Sequence, residues 1–517
     1  MLEEENNKGK FLWSIAYAFI LFVILYFFYT VVHPLYIYDT DDWAYISFSR
    51  HALPQITQWN PTKILPETLI PLTAEFGIRF IMPFTGDYIG SMGCAFALVI
   101  SLAIVVYILC FGKLFGRFYG MNQKVSWLVM IILLLFHFLP FNVAETNNGY
   151  LLGGSSVTIL FNYLLSGLIN SSVAMYLMTH GQTTWRRKSE HIKKGFLILG
   201  IYLCINSNMF HSIILISFMG TELLLSLGRD VKRRKMLRNS LRYTLVEYAK
   251  ANMFYLSVVS CWLISIWMES KGGRAQQATA GLFALPMKET IGQFVHSILG
   301  MRKDFILICV LIELLAMTIY IISLLRNKKE ADGRETQYDV DAVFIGGFGK
   351  GLLCLVITVI YLLLLGAKVA PSYISQPPTM FSWLFWVMVI VFSAVAYITK
   401  KIPAAVIGLP LLLYILMFET IIDGRSYRHN YQPTSFSPEQ VKALDENIIK
   451  QVMAAEEANM DSVEVLIPVH DSVYWPMPTS IGGERIATTL YRHGIISRHI
   501  SITLVPDSSV NEAFHLP

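Results

Sequence analysis

Charge is what this sequence has least of. Asp, Glu, Lys and Arg make up 15% of its 517 residues, against 54% hydrophobic residues. That balance excludes an ordinary soluble globular chain and points to a polytopic membrane protein. Cysteine is also scarce. All six cysteines lie inside apolar segments, with no CxxC pair among them. A disulfide framework and a cysteine metal site are therefore excluded, and the thiols read as small buried hydrophobes. A phosphate loop is lacking as well. The stretch "GGFGKG" at 346–351 has neither the GxxxxGK[ST] spacing nor a following Ser or Thr, so it reads as packing glycines with an anchoring Lys350. The first apolar run has 22 residues and no small-residue cleavage site, which marks a retained anchor rather than a signal peptide. No nucleic-acid partner is expected.

Long apolar runs are abundant. With about 20 residues needed per crossing, eleven spans are expected, at 11–32, 87–111, 126–141, 154–179, 194–208, 210–227, 252–269, 304–325, 346–366, 380–398 and 402–422. The stretch "NSNMFHS" (206–212) splits one long run in two. With the N-terminus inside, the basic segments fall on one face. They are Lys8 and Lys10; Lys113, Arg117 and Lys124; "RRKSEHIKK" (186–194); "RDVKRRKMLRNSLR" (229–242); "RNKK" (326–329); and Lys400 with Lys401. The loops 142–153, 206–210 and 367–379 hold only Lys368 between them. This is the positive-inside bias. Merging 194–227 into one span would put the two most basic loops on opposite faces.

Three long segments are then extracytoplasmic: 33–86, 270–303 and 423–517. The expected organisation is a transmembrane domain over 1–422 and an extracytoplasmic α/β domain over 423–517. The latter reads as a helix capped by Ser437, a strand at 463–469, a helix closed by Gly494 and a strand at 499–505, by turn signals and period-two alternation. In the first outer segment, 64–84 is too apolar for a free linker. It is also too interrupted by Pro66, Pro71 and Pro83 for a span, so it fits interfacial helices lying apolar face down.

The same segment opens with "YIYDTDDWAYISFSR" (36–50), which packs Asp39, Asp41 and Asp42 directly behind the first span. An acidic pair in that position, followed by interfacial helices, resembles the GT-C glycosyltransferases. The continuation Trp59-Asn60-Pro61, Lys63 and Pro66-Glu67, with "GDY" at 86–88, is similar to bacterial GT-C-like membrane proteins related to O-antigen-modifying glucosyltransferases. The detailed likeness covers about residues 33–90, and the rest of the chain resembles the family in layout. What the resemblance implies is transfer of a sugar from a polyprenyl-phosphate donor to a cell-surface glycan, polymer or lipid at the outer membrane face of a bacterial envelope. The partners are then the lipid-linked donor, the acceptor and membrane lipids. The family assigns the base to the acidic motif, with Asp41 or Asp42 ahead of Asp39.

Such a transfer needs a carboxylate to take the acceptor's proton and cationic donors to hold the phosphate leaving group. For the latter, Arg50, Lys63, Arg79 and Arg274 lie on the outer side, Lys63 foremost because it sits in the matched motif. Glu67 comes with the same match. Trp43 and Trp59 can stack on a sugar or anchor at the interface. Glu145, in "FNVAETNNGYLLGGSS" (141–156), and His211 are secondary candidates beside outer span ends. Against these stand blander readings: Asp39 or Thr40 as a helix N-cap with acids in the first turn, and snorkelling for any single cation. Clustered carboxylates are hard-cation ligands, so a divalent cation stays open. The motif lacks the spacing of a recognised metal loop, and no metal is assigned. Glu313, alone near the middle of a span, should carry a structural hydrogen bond rather than relay protons.

A transporter or flippase of a lipid-linked saccharide is the alternative class. It would show repeat symmetry and paired intramembrane charges, and no internal repeat is found. A non-catalytic assembly subunit would leave the acidic motif without a task. The topology is testable directly. A reporter fused after Pro517 is expected to read as extracytoplasmic, and a cytoplasmic reading would overturn both the span count and the placement of the acidic loop.

Overall fold

The computed structural model describes residues 2–141, 151–154, 156–181, 185, 191–237, 241–276, 285–327, 340–422, 437–469 and 479–515. Helix α1 (Leu2–Phe27) runs through a π turn, Phe28–Val32, into the first outer segment. That segment carries the short α2 (Thr40–Ile46) and α3 (Ile64–Phe76). The bundle continues with α4 (Tyr88–Tyr119), α5 (Gln123–Phe136), α6 (Val157–His180), α7 (His191–Ile205), α8 (Met209–Leu237) and α9 (Met253–Glu269). It closes with α10 (Lys303–Asn327), α11 (Val340–Val369), α12 (Pro377–Lys401) and α13 (Gly408–Ile422).

Among the described residues seven helices are long and apolar enough to cross a membrane. The other four expected spans are helices of 14 to 17 residues, namely α5, α7, α9 and α13. At 1.5 Å per residue they reach about 21–26 Å, short of the ~30 Å hydrocarbon core. The helix α9 is joined to a preceding helix, Thr244–Ala251, by a bend of 78° at Asn252, and the bent pair taken together is long and apolar enough for an eighth span. The break between α7 and α8 falls at Asn206–Asn208, where the Asn208 side chain accepts from the Phe210 amide.

Burial orders the bundle. Within its apolar window α12 is 94% buried and α10 only 11%, so α12 is the central post and α10 lies at the periphery. Around α12 the aromatic residues Tyr107, Phe111, Phe385 and Trp386 interlock.

A helix occupies the stretch expected to lie at the interface. From Ile64 to Thr85 the chain stays helical through one π turn at Gly77–Ile81. Glu67, Ile70, Ala74 and Gly77 are buried against the bundle, while Leu72, Phe76, Phe80 and Phe84 are exposed at four-residue intervals. A continuous apolar stripe of that kind suits a lipid surface. The middle outer segment holds a second such helix, Met287–Leu299, exposing Ile291, Val295 and Leu299.

Beyond residue 437 the chain forms α14 (Pro438–Glu457), β1 (Ser462–Ile467), α15 (Thr479–Arg492) and β2 (Ser501–Pro506). The strands pair in parallel, Ser462 opposite Ser501, with α15 as crossover. Ser437 caps α14 in a reciprocal capping box with Gln440, as its sequence spacing requires.

One close approach positions the acidic loop. A Cβ on Gly93 of α4 would lie 2.1 Å from the Leu35 carbonyl oxygen, so only glycine lets the chain leaving the first span lie flat on α4. Gly93→Ala is therefore expected to cost about 1–3 kcal/mol, read as a lowered Tm of the detergent-solubilised protein. An unchanged Tm would mean that the loop can give way.

Candidate active site

Five segments converge on one cavity of about 730 Å³. Asp39, Asp41 and Tyr45 come from the first outer segment around α2; Trp59, Asn60, Lys63 and Glu67 follow from its second half. Thr158, Asn162 and Tyr163 come from the start of α6, Arg274 from the turn after α9, Tyr373 and Gln376 from the link between α11 and α12, and Arg485 from α15. Each of these segments was assigned to the outer face by the Lys/Arg distribution, and a shared cavity requires a shared face.

Local chemistry sets each side chain. Asp39 caps α2, its Oδ1 accepting from the amides of Asp41 and Asp42 at 2.9 and 3.0 Å. This is the capping role weighed for it in sequence, and it still leaves the carboxyl on the cavity wall. Burial, and next the charge of Asp42, push its pKa up to about 8. Asp41 is on the rim, paired with Arg485 at 2.6 Å; the Arg485 guanidinium also donates to the Thr40 carbonyl.

Asp42 is not on the cavity. It is fully buried and accepts from the amides of Tyr38, Val157 and Thr158 at 2.8, 3.3 and 2.7 Å. The last two are free donors at the N-terminus of α6, where a carboxylate is stabilised. Trp43 is likewise turned inward, completely buried, its indole donating to Asp445 of α14 at 3.3 Å.

The cations divide in the same way. Arg50 is buried and consumed by Glu67, at 2.5 Å, and by the carbonyls of Asn60 and Pro61. Glu67, which also accepts from Asn60, thus stands on the cavity wall as half of an ion pair. Arg79 lies exposed beside Glu75 at 2.6 Å, away from the cavity. Lys63 remains: its ammonium makes no ion pair with any described residue. Burial first, then the neighbouring Arg274 charge, lower its pKa to about 8. Arg274 donates to the Tyr373 hydroxyl at 3.1 Å and is held by its own amide on the Trp59 carbonyl. The adjoining Gly272 makes this possible, because a Cβ there would strike the Pro61 ring at 2.3 Å.

His211 is buried in the bundle against Ser382, not at the cavity. Glu145 lies outside the described residues. Lys350 of the glycine-rich stretch pairs with Glu222 at 2.7 Å, in keeping with an anchoring role. Neither oxygen of Glu313 has a partner among the described residues, so the structural hydrogen bond expected for it is not there. Among the described residues no three His, Cys, Asp or Glu side chains converge on a possible metal position; the turn of Asp42 away from the cavity leaves only Asp39 and Asp41 of the acidic motif.

Several cavity residues had not been singled out in sequence, Asn60, Asn162, Tyr163 and Arg485 among them. Asn60 sits inside the matched "WNP" stretch, and its Oδ1, like that of Asn162, is buried without a hydrogen-bond partner. Asn162 and Tyr163 are carried on a π turn, Leu160–Leu165, an irregularity frequent at functional sites. Arg485 lies 444 positions from the aspartate it pairs with, and nothing local to its helix marks it.

No protein-family model matches the chain, and no curated protein matches it. Among solved structures it is similar to a crystal structure of the Archaeoglobus fulgidus oligosaccharyltransferase in complex with Zn and sulfate, with a TM-score of 0.38 and 12% identity. The match covers 89% of this chain and 59% of that one, so the chain spans less than two thirds of that protein's length.

The two neighbouring aspartates should separate in a stability measurement. Asp42→Ala strands three buried amides and is expected to cost about 3 kcal/mol or more. Asp41→Ala breaks only a rim pair, expected to cost less than about 1 kcal/mol. Equal Tm losses in the two variants would contradict these assignments.

Proposed function

We propose that the protein is a membrane glycosyltransferase of GT-C type that moves a sugar from a polyprenyl-phosphate donor to a cell-surface glycan, polymer or lipid. The observation that carries this reading is one cavity at the ends of the spans that combines two carboxylates, Asp39 and Asp41, with two cations, Lys63 and Arg274. A lipid-linked donor can keep its tail in the bilayer there while its sugar enters the cavity. Lys63 and Glu67, at the start of the helix that carries the exposed apolar stripe, line that cavity.

In this reading the acceptor oxygen attacks the anomeric carbon, and the bond from that carbon to the phosphate oxygen breaks. The bonding pair leaves with the polyprenyl phosphate, whose charge Lys63 and Arg274 stabilise. The acceptor's proton passes to Asp39. That carboxylate is favoured over Asp41 because it is half-buried and its pKa is raised towards neutrality, where a general base is most effective. Asp41 is already engaged by Arg485. The unpartnered amide oxygens of Asn60 and Asn162 are acceptors for sugar hydroxyls, and Trp59, half exposed at the rim, offers a ring face.

The sign of the pH dependence follows. Asp39 works deprotonated, so activity rises with pH through about 8; Lys63 works protonated, so activity falls as pH passes about 8. The product is a narrow bell centred near pH 8. Transfer from a radiolabelled polyprenyl-phosphate hexose by the purified protein measures it. Asp39→Asn is expected to lower kcat by about 10²–10⁴-fold, and Lys63→Arg, whose guanidinium does not titrate, to flatten the alkaline limb. Parental rates in both Asp39→Asn and Asp41→Asn would sink the transferase reading of this cavity.

A further inference from the structure

At the opposite end of α4 lies a second groove, of about 690 Å³, between α4, α6 and α7. Twenty-five residues of continuous helix separate Tyr88, beside the outer unit, from Lys113 in this groove. That is about 38 Å of helix, more than the ~30 Å hydrocarbon core, so the groove opens at the other membrane face. Three cations from two helices line it: Lys113 and Arg117, one turn apart on α4, and Lys193 at the start of α7. Among the described residues no Asp or Glu lines it, and neither Lys113 nor Arg117 forms an ion pair with a described residue. Below the cations the wall turns apolar, with Val106, Val173 and Phe196; Val106 and Phe196 are exposed, so the groove runs out onto the lipid-facing surface.

We propose that this groove binds an anionic phospholipid of the inner leaflet, its phosphate held by Lys113, Arg117 and Lys193 and its acyl chains laid along Val106, Val173 and Phe196. Charge complementarity selects an anion. The apolar continuation selects a lipid over a free phosphate, and basic pockets between membrane helices on the cytoplasmic side suit anionic headgroups. Isolated snorkelling cations reach the headgroup layer singly; here they converge on one wall with room for a headgroup between three helices.

Native mass spectrometry of the full-length protein, titrated with phosphatidylglycerol or phosphatidylcholine, tests this. The parent is expected to retain one phosphatidylglycerol preferentially, and Lys113→Gln with Arg117→Gln to weaken that binding roughly 30-fold. The charge-matched control, Lys232→Gln with Arg233→Gln on α8, should bind as the parent does. Val173→Trp keeps every charge and fills the apolar throat; it should also weaken binding, and it decides the matter if the charge variant fails to fold. Undiminished binding in the groove variants, an equal loss in the control, or displacement by inorganic phosphate at equal affinity would each overturn the proposal.

Discussion

A helix of seven residues does not stand alone in water, because one turn costs more order than its few hydrogen bonds return. The carboxylates of the candidate site nevertheless ride on such a helix, α2. It persists because its free ends are satisfied from outside. At the N-terminus Asp39 accepts from two amides. At the C-terminus the carbonyl of Trp43 accepts from the Thr489 hydroxyl, that of Ile46 faces the His493 ring, and that of Ser47 accepts from Arg492. All three partners belong to or directly follow α15, nearly 450 positions away. Asp42 then fastens the underside of the same helix to the first turn of α6. The α/β unit and the membrane bundle therefore hold the acidic helix between them, and neither alone would place it.

This arrangement explains why Asp42 and Asp39 differ so much in character. Burial raises the Asp42 pKa, and three backbone donors work against that shift while tying the carboxyl into the framework. Asp39 has two amide donors; its own burial, and next the charge of Asp42, raise its pKa. The proton consequently resides on Asp39 up to about pH 8. On the other side of the cavity Lys63 meets the mirror-image situation: burial and Arg274 oppose its charge, while Glu67 is largely spent on Arg50. An acid and an amine whose pKa values are both shifted towards neutrality share one cavity, as at sites that move protons and bind charged groups.

How much of this was legible in sequence depends on the range of the interaction involved. Apolar runs, the split at Asn206–Asn208 and the N-cap at Ser437 are local signals, and each has its counterpart in the structure. The membrane-edge position of Lys63 and Glu67 was carried by a short motif. The direction of a side chain was not. Asp41 and Asp42 are adjacent, so the helix must turn them to different faces, and only the position of α6 decides which is buried. Arg50 and Lys63 look equivalent as outer cations, yet the nearest carboxylate belongs to Arg50. The helix at 253–269 matches the expected span within a residue, but hydropathy does not register the 78° bend at Asn252 that joins it to the helix before it.

The pair between Arg485 and Asp41 adds a last constraint. Among the described residues it is the one charged contact by which the outer unit reaches the cavity, and both side chains are substantially solvated, at 32% and 64% exposure. An ion pair in that setting contributes at most about 1 kcal/mol, less than the buried bonds that Asp445 and Thr489 make to Trp43, which seat the same unit. The unit is thus anchored by interactions that do not yield, while its one residue on the cavity rim is held by an interaction that yields easily. A rim contact of that strength can open to a polar substrate without disturbing the helix beneath it, and Arg485 is then free to meet whatever negative charge takes the place of Asp41.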